Sequence, residues 1–237
     1  MTGVSDMDIV VQAVAKNLDL SQNKPLKDLV LEAFRKTIIL GDIPAGTRIN
    51  EKKFSEELNV SRTPIRYAMQ RLAIEDLVES RPGASTIVKG ITIKDAYEIF
   101  DIRKELDALA TRKAMVRMTE EDFVTLRKLL EQTEAELDQV PDVTVVSYFT
   151  DFNQFIYEHC DMPHLVSIIF KLQAYLVYFR DISIMSRERR ALALQEHWRI
   201  YQAMVNHDEV QINLIIREHL GQSLQFIIKE MRAHDLE

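Results

Sequence analysis

Two arginines open a predicted helix in residues 61–66 (SRTPIR). Ser61 is suited to cap a helix N-terminus, and Pro64 fits the first turn, where a missing N–H costs little. Arg62 and Arg66 fall on the polar side of this helix, away from its apolar residues. A guanidinium can bind guanine through two hydrogen bonds in the major groove, whereas hydroxyl groups bind phosphates. The segment therefore predicts a helix that reads DNA.

The neighbouring residues predict the elements that position these arginines. Residues 25–41 show helical periodicity, and Asn50 is a good N-cap for a short second helix. Residues 77–80 and 85–88 have the composition of two strands joined by a turn. Together these elements predict a winged helix-turn-helix with a small β-hairpin wing over residues 25–90. The buried stripe of the arginine-bearing helix consists of Ile65, Ala68, Met69 and Leu72.

Charge is divided unevenly along the chain, whose formal net charge is -7. Residues 24–90 carry a net charge of +3, residues 91–237 carry -8 and residues 1–23 carry -2. Because duplex affinity depends on local cations, only the first of these segments is expected to meet phosphate. A small helical domain with solvated arginines is the alternative to DNA binding.

Composition restricts the class of protein. The length of 237 residues suits two domains, and six Gly and six Pro are too few for an all-β sandwich or a dinucleotide-binding fold. The single cysteine, Cys160, excludes a disulfide framework and suits a reducing compartment. No apolar run reaches the roughly 18 residues of a membrane span. These features predict a cytoplasmic protein.

The chain after residue 90 predicts a series of amphipathic helices with almost no strand signal. The fold class is therefore mainly α, with an all-α six-helix bundle over residues 91–237. Residues 1–24 form an N-terminal extension, in which the apolar residues at 9–14 are compatible with an extra helix. The predicted bundle helices span residues 93–117, 119–139, 143–160, 162–185, 187–206 and 208–233.

Two histidines in the predicted bundle are candidates for chemistry. His197 and His219 could bind a metal in a small hydrolase or oxygenase, but such an enzyme needs a third ligand and a general base. The sequence contains no HExxH, no phosphate-binding Gly-rich loop and no nucleophile elbow. An enzyme is therefore the alternative and not the leading hypothesis.

Residues 40–46 (LGDIPAG), 49–51 (INE) and 60–66 (VSRTPIR) resemble the winged helices of the GntR superfamily. These matches occur in order over about 65 residues and are specific. The resemblance implies binding of a double-stranded DNA operator. Its implied DNA-contacting positions are Lys52, Ser61, Arg62, Thr63, Arg66 and the wing-tip Gly83.

Residues 98–103 (EIFDIR), 196–197 (EH) and 217–220 (REHL) resemble the FCD domain, the all-helical ligand-binding domain of FadR-type GntR regulators. Many members of that family hold a divalent metal with an Asp, a His four residues later and two further histidines. The resemblance thus implies a ligand-binding and dimerisation domain after the winged helix.

The metal ligands that the resemblance implies are only partly present. His197 and His219 match the later pair, but Phe149 occupies the Asp position and Asn153 the first His position. Two imidazoles and an amide make a poor site for Zn, Mn or Ni. The sequence therefore predicts that no metal is required, and that a metal at His197 and His219 is doubtful.

The same cavity can instead bind an organic anion directly. Arg103, Asn153, His197 and His219 could supply the donors, with arginine favoured because its planar fork matches a carboxylate. By resemblance, the effector is a small organic acid, with di- and tricarboxylates such as citrate as candidates. Alternatively, the two histidines are ordinary buried residues, and Arg103 pairs with nearby Glu105 or Asp107 from another helix.

These observations predict a ligand-responsive transcriptional regulator that binds an inverted-repeat operator as a homodimer. The effector would modulate the affinity or geometry of DNA binding from the helical domain. A constitutive DNA-binding protein is a further alternative, which predicts no response to a small molecule.

Overall fold

The computed structural model describes residues 6–79 and 85–237. The chain divides into two compact units: unit 1 holds the residues up to Thr92 together with Ala233–Glu237, and unit 2 holds Ile93–Arg232. Among the described residues, no helix has both the length and the apolar character needed to cross a bilayer.

Helices and a small sheet form unit 1. The helices are α1 (Asp6–Asn17), α2 (Leu26–Ile39), α3 (Glu51–Glu57) and α4 (Arg62–Ile74). Helix α4 packs on α2 and on α3. Phe34 of α2 contacts Phe54 of α3 with ring centroids 4.8 Å apart, and both rings are fully buried. Apolar contacts through α2 therefore hold the helix-turn-helix pair in place.

Helix α1 is formed by the apolar run near the N-terminus. Val10, Val11 and Val14 are buried, and α1 packs on α2. The side-chain amide of Asn17 donates a hydrogen bond to the hydroxyl of Thr37 at 3.0 Å. Helix α1 is thus part of unit 1.

The turn between α3 and α4 is specified locally. Asn50 caps α3, because its side-chain oxygen accepts the N–H groups of Lys52 and Lys53, both at 3.1 Å. The chain reverses at Asn59, whose φ of 51° lies in the left-handed region that asparagine tolerates well. Ser61 occupies the N-cap position of α4, although its hydroxyl caps none of the described N–H groups.

A small antiparallel sheet completes the described part of unit 1. Its strands are β1 (Arg48–Ile49), β2 (Val78–Glu79) and β3 (Thr86–Val88), in the order β1-β3-β2. Strands β2 and β3 belong to the predicted hairpin. Strand β1 was not predicted, since two residues are too few to show a periodicity. Residues 80–84, which include the predicted contact Gly83, lie outside the described residues.

Unit 2 is built from α-helices. They are α5 (Ile93–Arg117), α6 (Glu120–Glu136), α7 (Asp142–His159), α8 (Pro163–Ala174), α9 (Val177–Ile184), α10 (Arg187–Val205) and α11 (Glu209–Ala233). The prediction of one helix over residues 162–185 was wrong, because the chain breaks at Tyr175 and Leu176. Leu176 has φ -122° and ψ 5° and is 3% exposed. Leu176 is therefore buried at the break. No Gly or Pro, the residues that usually mark a helix end in a sequence, lies at this break.

The interior of unit 2 contains charged and polar side chains as well as apolar ones. Phe100, Phe152 and Phe179 are at most 1% exposed, and the single cysteine, Cys160, is fully buried. Buried charges are unfavourable unless they are paired, so their positions identify a candidate site. The buried ionisable residues of unit 2 include Asp107, Arg189, Glu196, His197 and His219.

Candidate functional site

The N-terminal end of α4 presents three of the predicted DNA-contacting residues to solvent. Arg62, Thr63 and Arg66 are exposed, whereas Pro64 and Ile65 between them are buried. No carboxylate of the described residues forms an ion pair with Arg62. The helix thus places guanidinium and hydroxyl groups on its solvent side. Its opposite side packs on the core of unit 1 and fixes the position of the helix.

Arg66 has a carboxylate partner at the start of α3. Its Nε lies 3.6 Å from Oε2 of Glu51. The Arg66 side chain is 62% exposed, so this ion pair contributes little stability and mainly restrains the guanidinium. Glu51 was part of the matching sequence motif but was assigned no role there. In the sequence, only the acidic side chain of Glu51 and its position before Lys52 indicated a contact with Arg66.

Two further predicted contacts flank this surface. Lys52 is exposed and forms an ion pair with Glu56 at 3.7 Å, one turn along α3. Exposed pairs of this kind contribute at most about 1 kcal/mol, so a phosphate can compete for the ammonium group. The exposed hydroxyl of Ser61 lies at the start of α4, where helix N–H groups favour an anion. These residue types suit contacts with a DNA backbone.

Unit 2 encloses a cavity of about 40 Å³ where three of the four predicted effector residues meet. Asn153 of α7, His197 of α10 and His219 of α11 lie in its wall. Arg180 and Arg189 also line it, and its wall contains no aspartate or glutamate. The rest of the wall consists of Val146, Phe149, Ile184, Ala193 and Ser223.

The fourth predicted effector residue, Arg103, lines a smaller cavity of about 10 Å³. Its Nε lies 3.1 Å from Oδ2 of Asp107, one turn along the same helix and not on another helix. The Tyr157 hydroxyl donates to the same carboxylate. Burial, together with this neighbouring carboxylate, raises the pKa of Tyr157 well above its usual value. Arg103 is therefore engaged by an internal partner.

Aromatic rings surround His197. Phe152 stacks on the imidazole with centroids 4.2 Å apart, and the ring of Phe149 meets it edge-on at 5.3 Å. Neither imidazole nitrogen has a hydrogen-bond partner among the described residues. Burial, and then the charges of His219 and Arg189, hold the pKa of His197 well below its usual value. The imidazole is therefore neutral at physiological pH.

A buried chain of polar contacts connects α10 with α11. Nη1 of Arg189 lies 2.9 Å from Oε2 of Glu196, which lies 2.8 Å from Nδ1 of His219. Nη2 of Arg189 donates to the hydroxyl of Ser223 at 3.1 Å. Burial opposes ionisation of Glu196, but the hydrogen bonds and charges of His219 and Arg189 outweigh it and lower the pKa.

Sequence reasoning missed Arg189. The composition of residues 186–190 (SRERR) is typical of a solvated helix start, yet Arg189 is 1% exposed. The available signal was the spacing to Glu196, because residues seven apart lie on the same face two turns along a helix. Ser186 does begin this helix, since its hydroxyl accepts the N–H of Arg189 at 3.5 Å.

The residues at the family's metal position do not fit a metal ion. Phe149 and Phe152 cover His197, while the Glu196 carboxylate is occupied by Arg189 and His219. Within the described parts of the chain, no three His, Cys, Asp or Glu residues form a group that could hold a metal. The cavity chemistry instead favours an anion.

A larger depression of about 770 Å³ lies along α7 and α8. It is open to solvent and includes none of the four predicted effector residues. Its walls include Tyr157, Pro163, Phe170 and Lys171. The smaller cavity is nevertheless the better candidate, because the polar side chains of Asn153, His197 and His219 converge on it.

The free energy of unfolding is expected to fall as the pH drops below about 6.5, because folded His197 resists protonation. The unfolded chain then binds one more proton than the folded chain at this residue, a loss of about 1.4 kcal/mol per pH unit. Urea unfolding of the natural chain and His197→Gln at pH 7.5 and 5.5 measures the effect. The natural chain should lose more stability than the variant, and equal losses would contradict a neutral buried His197.

Two family models match the chain. The model described as bacterial regulatory proteins, gntR family, matches residues 26–88, and the model of the FCD domain matches residues 98–222. The first range contains the α3–α4 surface, and the second contains most of the helices that enclose the cavity.

Similar proteins carry regulator names. The chain is 28% identical over 169 residues to the uncharacterized HTH-type transcriptional regulator YdhC of Bacillus subtilis (strain 168), covering 71% of this chain and 75% of YdhC. It is 24% identical over 216 residues to the HTH-type transcriptional repressor RspR of Escherichia coli (strain K12), covering 91% and 94%. The solved structure of E. coli McbR/YncC shares the fold, with a TM-score of 0.62, 21% identity and coverage of 87% and 98%. The chain therefore belongs to the gntR family of bacterial regulatory proteins with an FCD domain, and it is a DNA-binding transcriptional regulator and not an enzyme.

Proposed function

We propose that this regulator binds an inverted-repeat operator as a homodimer in the cytoplasm and represses transcription there. The observation that carries the proposal is the exposed start of α4, where Arg62, Thr63 and Arg66 face solvent on a buried support. A dimer would place two such helices in successive major grooves, about one helical turn (~34 Å) apart. Repression follows the role in the name of the relative RspR.

Residues 25–90 act as the DNA-binding domain in this proposal. Arg62 and Arg66 read bases, while Lys52, Ser61 and Thr63 bind phosphates. Gly83 is assigned to the DNA contact by family resemblance alone. The acidic helical domain of residues 91–237 stays away from the phosphates and supplies dimerisation and effector binding.

The effector in this proposal is a small organic acid that enters the helical domain. Asn153, His197 and His219 meet at one cavity, which supports a shared ligand, and Arg103 lines the cavity beside it. The 40 Å³ space is smaller than such an acid, so binding requires the helices around it to move. An effector regulates DNA binding only if it binds two arrangements of the protein with different affinities.

Loss of the α4 arginines is expected to weaken operator binding by about 10- to 100-fold for each residue, since a bidentate base contact contributes about 1–3 kcal/mol. An operator selected from a random DNA library is titrated with Arg62→Ala and Arg66→Ala. Arg71→Ala is the control, because Arg71 is exposed on the last turn of the same helix. Equal affinities of all variants would contradict base reading by the start of α4.

The selected sequences also test the dimer. An inverted repeat with half-sites about one helical turn apart is expected, and sedimentation of the complex should give two chains per operator. Selection of a single half-site bound by one chain would contradict the homodimer. Failure to select any preferred sequence would contradict operator binding itself.

A further inference from the structure

We propose that Arg189 and Arg180 form a metal-independent carboxylate site in the cavity of unit 2. The Arg189 and Arg180 guanidinium groups supply the positive charge there, so the site requires no metal cation. This inference rests on the proposed function, because it identifies the groups that receive the effector. It assigns the anchoring charge to Arg189 and Arg180 and not to Arg103, because the carboxylate partner of Arg103, Asp107, lines the same small cavity as Arg103 itself.

The charge distribution around the cavity favours an anion. Arg180 and Arg189 line the cavity, whereas their carboxylate partners, Asp181 and Glu196, do not belong to its wall. A ligand in this space therefore meets two cations and no acidic side chain of the wall, and an arginine fork matches a carboxylate.

Unused hydrogen-bonding capacity in the cavity wall supports binding of a polar ligand. Nε of Arg189 is buried and has no acceptor among the described residues, although its other two nitrogens contact Glu196 and Ser223. Both nitrogens of His197 also have no described partner. Buried polar groups in folded proteins are normally hydrogen-bonded, so unpartnered groups beside a cavity suit a bound polar molecule.

The remaining wall defines the body of the ligand. Val146, Phe149, Ile184 and Ala193 supply apolar surface beside the two arginines. A water molecule needs only about 10–15 Å³ of such space, so the 40 Å³ cavity has room for a carboxylate head but not for a longer chain. The hydrocarbon part of the ligand would enter by moving the ring of Phe149. The ligand class is thus a carboxylate with a short apolar body.

Calorimetric titration of the full-length, EDTA-treated protein with acetate, butyrate and hexanoate tests this site. Ethanol, butanol and hexanol are the uncharged controls of matched length. The carboxylates are expected to bind and the alcohols are not. Arg180→Ala should raise the Kd of the carboxylates at least tenfold. Arg199→Ala on α10 is the matched control and should leave the Kd unchanged, because Arg199 is exposed and pairs with Glu218.

A second variant tests the buried residue, Arg189. Arg189→Lys keeps the positive charge but loses the planar fork, so it should also weaken carboxylate binding. If this variant does not fold, Arg180→Ala alone decides. Unchanged carboxylate affinity in Arg180→Ala, binding only after zinc or nickel is added, or no binding of any of the three acids would each overturn the inference.

Operator affinity measured on the same preparations separates this inference from the proposed function. Operator binding without carboxylate binding would reject the anion site alone. Carboxylate binding by a protein that selects no operator would reject the proposed DNA function and leave the anion site supported.

Discussion

Replacing Arg189 by methionine is expected to lower the free energy of unfolding by about 3–5 kcal/mol, the usual cost of removing one partner of a buried ion pair. The side chains of Arg189 and Glu196 are only 2% and 3% exposed. The substitution would leave the Glu196 carboxylate in the interior with His219 as its remaining donor. Urea unfolding followed by circular dichroism measures the loss.

Two controls show whether the loss comes from the unpaired charge. Arg199 lies on α10, like Arg189, and forms an exposed pair with Glu218 of α11, so Arg199→Met should change stability by less than about 1 kcal/mol. The double variant Arg189→Met/Glu196→Leu should be more stable than the single variant, because apolar residues often replace a buried ion pair without loss. A single variant as stable as the Arg199 control would contradict the buried network.

The double substitution Phe149→Asp/Asn153→His is expected to give unit 2 a zinc site. Phe149 lies against His197, and Asn153 shares the cavity wall with His219. The imidazole centroids of His197 and His219 are already 5.1 Å apart. One carboxylate and three imidazoles then supply the four ligands that zinc prefers. The space that aromatic rings now fill would become a coordination site.

Thermal unfolding with zinc or with EDTA measures this gain. Without metal, the variant should lose about 2–5 kcal/mol, since it lacks a buried ring and buries a carboxylate. Zinc at 100 times its Kd should restore about 2.7 kcal/mol, a rise of a few degrees in Tm. Adding His219→Ala should abolish the rise. An equal rise in the natural chain would contradict the finding that its own residues do not fit a metal.

Most helix bounds could be predicted because their signals are local. Thr119 caps α6 through a reciprocal contact with Asp122, and Pro163 occupies the first turn of α8. Such residues act within one turn of their own position. The break at Leu176 has no equivalent signal, because tertiary packing of an ordinary leucine accompanies it. Two-residue strands such as β1 likewise depend on a partner strand and not on their own pattern.

The two candidate sites also differ in how far the sequence predicts them. The DNA surface could be predicted because Ser61, Arg62 and Arg66 lie within one short segment. The interior site is formed by residues of α7, α9, α10 and α11. Local sequence patterns do not predict how these four helices pack together, so such patterns alone could not predict this site. Charged residues are usually exposed, as the nearby Arg187 is, so residue type alone does not predict that Arg189 is buried.

Cys160 gives the natural chain a chemical reporter of unit 2. It is the single cysteine of the sequence and is fully buried at the end of α7. A disulfide reagent reaches such a thiol only when the surrounding structure opens. The labelling rate therefore follows the opening of unit 2 alone, with no signal from the DNA-binding unit. Ligands or substitutions that close the helical unit can be ranked by how far they slow this single reaction.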